Sequence, residues 1–294
     1  KKVNDLEYEF LYYNLSFLTK TKLNSNFKIE EIIWKKEFDF YFHHWGDVFD
    51  NKLYIPTSRP SSYPIKYQKK FLNNFKDCNN SIFPYETIDV FDLQDGSHIK
   101  TYNLFENLWK IEELNNKKYN FQCDDPLHLN DVRVIKNIDD KNNFFNSNIG
   151  DIYVSFGSLD SIVLYDQENN IKNYFVGNMV TQHSPRLIAN KKILIFDNKG
   201  SDRIFGQSRI VSFNTETKKL SGIYEGDIQN FFESSVAGRL QIHDNKIYVN
   251  SSTESKLFEL NCNEIDILKN CIKKDILNIP DLSGETFLLE IIEN

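Results

Sequence analysis

The rhythm of apolar and polar positions changes once along this chain, close to residue 25. From Lys1 to about Asn24 the apolar residues Val3, Leu6, Phe10, Tyr13, Phe17 and Leu18 recur at intervals of three to four, the stripe of an amphipathic helix. The spacing predicts a helix over residues 1–26, docked on a body formed by residues 27–294. Past it, alternating runs of five to seven residues are separated by Asp-Asn, Asp-Gly and Asn-Lys turns, which reads as strands joined by tight turns.

Several of these runs superimpose. His43-His44-Trp45-Gly46 leads to Lys52 and then Leu53-Tyr54-Ile55; His183-Ser184-Pro185-Arg186 leads to Lys192 and Ile193-Leu194-Ile195-Phe196; Ala237-Gly238-Arg239 leads to Lys246 and Ile247-Tyr248-Val249. In all three the lysine at the hairpin lies nine residues after the start. A fourth copy starts at His128, with its turn expanded by Asn137–Gly150. Third strands follow at Thr87–Asp92, Ser161–Asp166, Ser208–Asn214 and Ser255–Leu260, and fourth strands at His98–Tyr102, Ile171–Val176, Leu220–Tyr224 and Ile272–Ile276. Four antiparallel strands per unit, repeated about every 55 residues in the cleaner copies, is the organisation of propeller blades.

The fold class expected is therefore all-β: a β-propeller of four-stranded antiparallel blades, four of them clear and five or six in all. Phe27–Lys36 and Thr286–Ile292 lie outside the four units and could complete a further blade by pairing the chain ends. Ser61–Phe83, with Tyr67, Phe71 and Phe75 at helical spacing, and Asn103–Asn115, with Leu104, Leu108 and Ile111, read as helical insertions in the first unit. Such loops often carry lids.

Composition sharpens this picture. The 24 Phe and 15 Tyr, against a single Met, favour strands over a helical bundle. A net charge of −7 without a basic cluster disfavours a general nucleic-acid partner. No stretch approaches the roughly 20 apolar residues that a membrane-spanning helix needs. The chain opens on Lys1-Lys2 without a signal-peptide pattern, as a mature or truncated chain also would. Its four cysteines form no Cys-x-x-Cys pair. Cys262 and Cys271 could close a small loop in an oxidising compartment or remain free thiols, and Cys78 and Cys123 are equally open.

First strands line the channel of a propeller, so residues at the start of those strands converge on the axis. His43 and His183 share one position in the nine-residue ruler, His128 starts the matching strand of its own unit, and His44 adjoins His43. Convergent imidazoles can surround a small anionic group. His98 follows Asp95-Gly96 and reads as a solvated turn residue, and His243 as a turn residue at the outer end of its strand. Metal binding is the competing reading of clustered histidines. Because His-x-His and His-Glu-x-x-His spacings are absent, no metal and no other cofactor is expected. A serine hydrolase is disfavoured because no Gly-x-Ser-x-Gly elbow occurs.

Five motifs, in order, carry a family resemblance. Asp125-Pro126-Leu127-His128-Leu129-Asn130-Asp131-Val132 resembles the His-x-Asn element of the bacterial arylsulfotransferases. Gly150–Phe156 with Ser161-Ile162, Gln182-His183-Ser184-Pro185-Arg186, Ile195-Phe196-Asp197-Asn198 and Ser208-Arg209-Ile210-Val211 resemble later elements, and the similarity runs from about Phe42 to Leu260. The resemblance implies a six-bladed propeller, often periplasmic, which transfers a sulfuryl group between phenolic compounds through a sulfohistidine. On this reading His128, His183 and Arg209 are catalytic supports of the sulfate, with Arg203 a substitute for Arg209. Substrate-binding candidates are His43, His44, Asn130, Arg186, Asn198 and Arg239.

One departure stands out. The family's nucleophilic histidine falls near Glu233–Arg239, where this chain has none. Either His43, His44 or His183 takes that role, or sulfate is not transferred by that route. The function expected is sulfuryl transfer from a sulfate ester to a phenolic or other hydroxyl acceptor in the channel. The alternative is a catalytically inactive propeller that binds an anion or small molecule, or serves in a surface assembly. The expected partner is a small-molecule sulfate ester or other anion, with homo-oligomers possible, in a periplasmic or extracellular setting.

Overall fold

Twenty strands fall into five antiparallel sheets in the computed structural model, a five-bladed β-propeller. The structure describes residues 8–278, apart from 15, 25–27, 63–83, 109, 117–126, 138, 141–143, 145, 178, 190, 199–206, 226–231, 235–236 and 255. The first sheet contains β1 (Tyr8–Asn14), β2 (Phe17–Leu23) and β3 (Ile29–Glu37). The second contains β4 (Tyr41–Phe42), β5 (Asp47–Phe49), β6 (Lys52–Ser62), β7 (Pro84–Asp92) and β8 (His98–Tyr102). Both β4 and β5 pair with β6, so they divide one inner position between them.

The third blade runs from inside to outside as β9 (Leu129–Val134), β10 (Ile152–Phe156), β11 (Ser161–Tyr165) and β12 (Ile171–Val176). The fourth is β13 (His183–Ile188), β14 (Lys192–Asp197), β15 (Arg209–Asn214) and β16 (Leu220–Tyr224). The fifth is β17 (Arg239–His243), β18 (Lys246–Ser251), β19 (Lys256–Asn261) and β20 (Ile272–Asn278). The three ruler lysines, Lys52, Lys192 and Lys246, each open the second strand of their blade. Among the described residues five blades are formed, the lower of the two numbers expected.

Blades stack because successive side chains on a strand point to opposite faces. In β10, Ile152, Val154 and Phe156 pack with Tyr54, Ile88 and Val90 of the second blade. The intervening Tyr153 joins Ile193, Ile195, Val211 and Phe213 of the fourth. In β14, Leu194 and Phe196 turn the other way, to Leu240, Ile247, Val249 and Phe258 of the fifth. This two-sided burial explains the uninterrupted run Ile193-Leu194-Ile195-Phe196. Phe156, Phe196, Phe232 and Phe258 are fully buried, each contributing about 1.5–3 kcal/mol over an exposed ring. Inner strands meet at the axis, where β9 touches β5 and β13, and β13 touches β17.

The N-terminal segment corrects the helical reading. Tyr8–Leu23 is a β-hairpin, with Tyr8 paired to Leu23 and Asn14 to Phe17. The three-to-four spacing of its apolar residues hid a second period: Thr19, Thr21 and Leu23 are buried while Lys20 and Lys22 between them are less so. β-branched and aromatic residues fit that pleated surface, and Leu18 packs with Phe40, Phe42, Leu53, Ile55 and Phe91 of the second blade. Residues 1–7 lie outside the described residues.

The strand expected at Phe27–Lys36 is β3. Thr286–Ile292 and most of Ser61–Phe83 lie outside the described residues, whereas Asn103–Asn115 contains short helices at Phe105–Leu108 and Glu112–Asn116. Cys262 and Cys271 form a disulfide across the β19–β20 connection; Cys78 and Cys123 lie outside the described residues. No helix among the described residues is long and apolar enough to cross a membrane.

Candidate functional site

Three inner strands begin with a break in their ladder, and each break delivers a histidine to the axis. In the second blade Phe42 pairs with Thr57 but Asp47 with Tyr54. His43 still donates its N–H to the Pro56 carbonyl at 3.0 Å, but His44–Gly46 after it loop out, and His44 takes a left-handed φ of 51°. Gly46 permits this close approach, since a Cβ there would lie 2.4 Å from the Tyr54 carbonyl oxygen. In the third blade His128, at φ 49°, precedes a bulge at Asn130. In the fourth, the ladder slips between His183 and Arg186, with Ser184 at φ 52°. Bulges of this kind re-aim side chains at strand ends.

The four imidazoles gather into one cluster. Ring centroids lie 4.0 Å apart for His43–His44, 4.9 Å for His44–His128, 5.6 Å for His44–His183, 5.9 Å for His43–His128 and 6.1 Å for His128–His183. His44, His128 and His183 present ring nitrogens that all lie within 4.8 Å of one another.

Their tautomers and charges follow from the surroundings. The His183 Nδ1 sits 2.7 Å from the Asn198 Oδ1 and 2.8 Å from the Thr181 carbonyl. The carbonyl can only accept, and Asn198 fixes its own flip by donating Nδ2–H to the Ser234 carbonyl at 2.6 Å. The proton therefore resides on Nδ1, and the Nε2 of His183 carries an exposed electron pair. That Nε2, like the Nε2 of His44, is buried without a hydrogen-bond partner among the described residues. Burial, then the neighbouring His128, lowers the His183 pKa to about 4. Burial, followed by His43, His183 and His128, holds His44 well below the ordinary imidazole range. Both rings are neutral at physiological pH.

Surrounding groups position the cluster. Glu86, buried on β7, accepts the backbone N–H groups of Leu127 at 2.8 Å and Leu129 at 3.1 Å, clamping the chain on both sides of His128. Gly157 leaves room for the ring: a Cβ there would come within 2.8 Å of the His128 Cδ2. Tyr13, from β1, donates its hydroxyl proton to the His44 carbonyl, and burial raises its pKa to about 12. Arg239 lies over the Trp45 ring at 4.8 Å, bringing a cation from the fifth blade beside the His43–Trp45 loop.

The expected site residues are thus only partly brought together. His43, His44, His128 and His183 meet, Asn198 joins through His183, and Arg239 reaches Trp45. Asn130 instead donates its amide to the Gln182 carbonyl, tying the third blade to the fourth. Arg186 bonds the buried Asp131 at 3.1 Å. Arg209 stands on the third strand of its blade, two strands out from the axial one, with its Nε 2.7 Å from Asp197. Arg203 lies outside the described residues. His98 is exposed, as expected of a solvated residue, though it opens β8 rather than sitting in the turn, and its Nε2 is 2.7 Å from the buried Asp89. His243 does end its strand at the turn, 3.2 Å from Asp244.

Thr181, Glu86 and Tyr13 were missed. Glu86 had a signal, because it shares the face of β7 that carries Ile88 and Val90, and a carboxylate on an apolar face needs buried donors.

No family model matches the sequence, and no curated protein matches it. Among solved structures the chain is similar to the major Malassezia sympodialis allergen Mala s 1, with a TM-score of 0.54 at 11% identity over 94% of this chain and 77% of that one. It is also similar to a protein of unknown function from Bacteroides caccae, with a TM-score of 0.51 at 10% identity over 90% and 78%. At such identities the likeness shows the β-propeller fold and nothing of the chemistry.

Proposed function

We propose that this propeller transfers a sulfuryl group from a sulfate ester to a phenolic or other hydroxyl acceptor at its axial imidazole centre, in the manner of the arylsulfotransferases. The observation that carries the reading is the convergence of His43, His44, His128 and His183 from three blades. His128 and His183 are the residues that match the family's His-x-Asn and Gln-His elements.

His43 stands beside the trio whose nitrogens lie mutually close, and it takes the nucleophilic role. Its imidazole nitrogen attacks sulfur, the ester S–O bond breaks, and the aryloxide leaves and takes up a proton. An acceptor hydroxyl then attacks the same sulfur, the N–S bond breaks, and the acceptor's proton is released. A neutral imidazole is the competent form for the first step. The Cys262–Cys271 disulfide supports an oxidising compartment, periplasmic or extracellular.

Turnover of a chromogenic aryl sulfate with a phenol acceptor tests the proposal. Wild-type protein releases the phenol product, and His43→Ala, His128→Ala and His183→Ala each lose at least tenfold in rate. Release that is absent, or untouched by all three substitutions, defeats it.

A second reading draws on the pairing of Arg186 with Asp131 and of Arg209 with Asp197, which occupies cations expected to face a sulfate. That pairing favours a propeller that binds a small molecule without turning it over. Its mark is a ligand-dependent rise in Tm without product release.

A further inference from the structure

We propose that His44, His128 and His183 together bind a divalent transition-metal ion of the Zn2+ class on the propeller axis, leaving a coordination position open to a substrate oxygen. This deepens the transfer reading and rests on it only for the identity of that oxygen donor. The three nitrogens come from three blades and lie within 4.8 Å of one another. Nitrogens sharing a tetrahedral ion at 2.0–2.1 Å are about 3.3 Å apart. Modest ring rotations at the three looped strand openings close that difference.

Two further observations point to a cation. The Nε2 atoms of His44 and His183 are buried without hydrogen-bond partners among the described residues, although buried polar atoms are nearly always satisfied. A metal ion supplies the missing partner for both at once. In addition, His183 donates Nδ1–H to the Asn198 side chain and the Thr181 carbonyl. Such an outer hydrogen bond fixes the tautomer and ring plane of a metal-bound imidazole. The remaining charges agree, because Arg186 and Arg209 are offset by carboxylates. The ion would then bring the positive charge that an anionic ester requires.

Three imidazole nitrogens without a carboxylate select Zn2+, Co2+, Ni2+ or Cu2+ over Mg2+ and Ca2+. Three protein ligands with one open position is the pattern of a catalytic rather than a structural zinc site. Motif spacing could not reveal it, since 84 residues separate His44 from His128 and 55 separate His128 from His183.

The full chain, stripped with a chelator and dialysed, is titrated with Co2+ and followed by its visible ligand-field absorption. One Co2+ per chain is expected, displaced by Zn2+ and absent in His128→Ala and His183→Ala. His243→Ala should bind as wild type does. Asn198→Ala keeps all three ligands and should weaken binding by about 10–100-fold, so the outcome does not hang on a variant that fails to fold. The proposal is overturned if wild type takes up no stoichiometric Co2+, or if folded His128→Ala and His183→Ala bind as wild type does. Stoichiometric Co2+ without aryl-sulfate turnover leaves the metal site standing and removes the sulfuryl reading. Turnover that survives chelation, without Co2+ uptake, does the reverse.

Discussion

The Asn198 side chain, just past the end of β14, holds the Nδ1 of His183 at 2.7 Å and so decides which nitrogen of that ring faces the axis. Asn198→Ala removes this bond and releases the Ser234 carbonyl as well. We expect a loss of about 1–3 kcal/mol in stability and at least a tenfold fall in aryl-sulfate turnover with the sheets intact. A chemical denaturation curve and a rate assay on the same preparation check both. Wild-type turnover in the variant would show that the ring needs no such anchor.

Glu86 makes a comparable demand on His128. Glu86→Gln replaces one accepting oxygen with an N–H donor, facing a backbone N–H of Leu127 or Leu129 that also donates. One buried donor then lacks its acceptor, at a cost of about 1–3 kcal/mol. Urea denaturation should register that loss, and an unchanged midpoint would mean the clamp is not formed in solution.

Stability should fall with acid in the chelated protein. His183 titrates at about 4 when folded against 6.5 when exposed, so between those values the unfolded chain binds a proton that the folded chain does not. Its contribution is complete above pH 6.5 and is lost as pH drops towards 4, amounting to roughly 3 kcal/mol for this one ring. His44 is shifted in the same direction. Thermal melts from pH 7 to pH 4 should show a steep fall in Tm for wild type and a shallower one for His183→Gln. Equal slopes would contradict the assignment.

The disulfide should matter to the fifth blade alone. Cys262 and Cys271 are nine residues apart, and closing so short a loop restricts the unfolded chain by about 2–3 kcal/mol. Cys262→Ala paired with Cys271→Ala, or reduction of the wild type, should lower Tm while leaving the Co2+ spectrum unaltered. A spectrum that changes on reduction would tie the last blade to the axial centre in a way the geometry does not.

Much of the fold was legible because a propeller repeats itself. Lys52, Lys192 and Lys246 each mark the same corner of a hairpin, and that corner fixes the strands on both sides. The histidines were legible for the same reason, since a shared register places them at one end of the inner strands. The N-terminal hairpin was not legible, because Phe10, Tyr13 and Phe17 fit a helical stripe as well as two paired strands. Only packing against the second blade decides between them. The partners of Arg186 and Arg209 were not legible, because alternation predicts which face a residue occupies but not which carboxylate waits there. Asp131 and Asp197 are fully buried; Asp131 pairs with both Arg133 and Arg186, and Asp197 with Arg209. His98 stays exposed while it reaches the fully buried Asp89.

The breaks at the strand openings have a consequence for how such molecules diverge. Ladder residues such as Ile195 and Val154 hold the blades together, whereas His44, His128 and Ser184 sit where the ladder is already interrupted. Exchanging the side chain of His44 or His128 leaves the backbone ladders in place, so the chemistry of the mouth can change while the scaffold stays, whereas Ser184 also holds Leu240 of β17 through its hydroxyl. The openings are thus where this architecture can take on a different chemistry without a different frame.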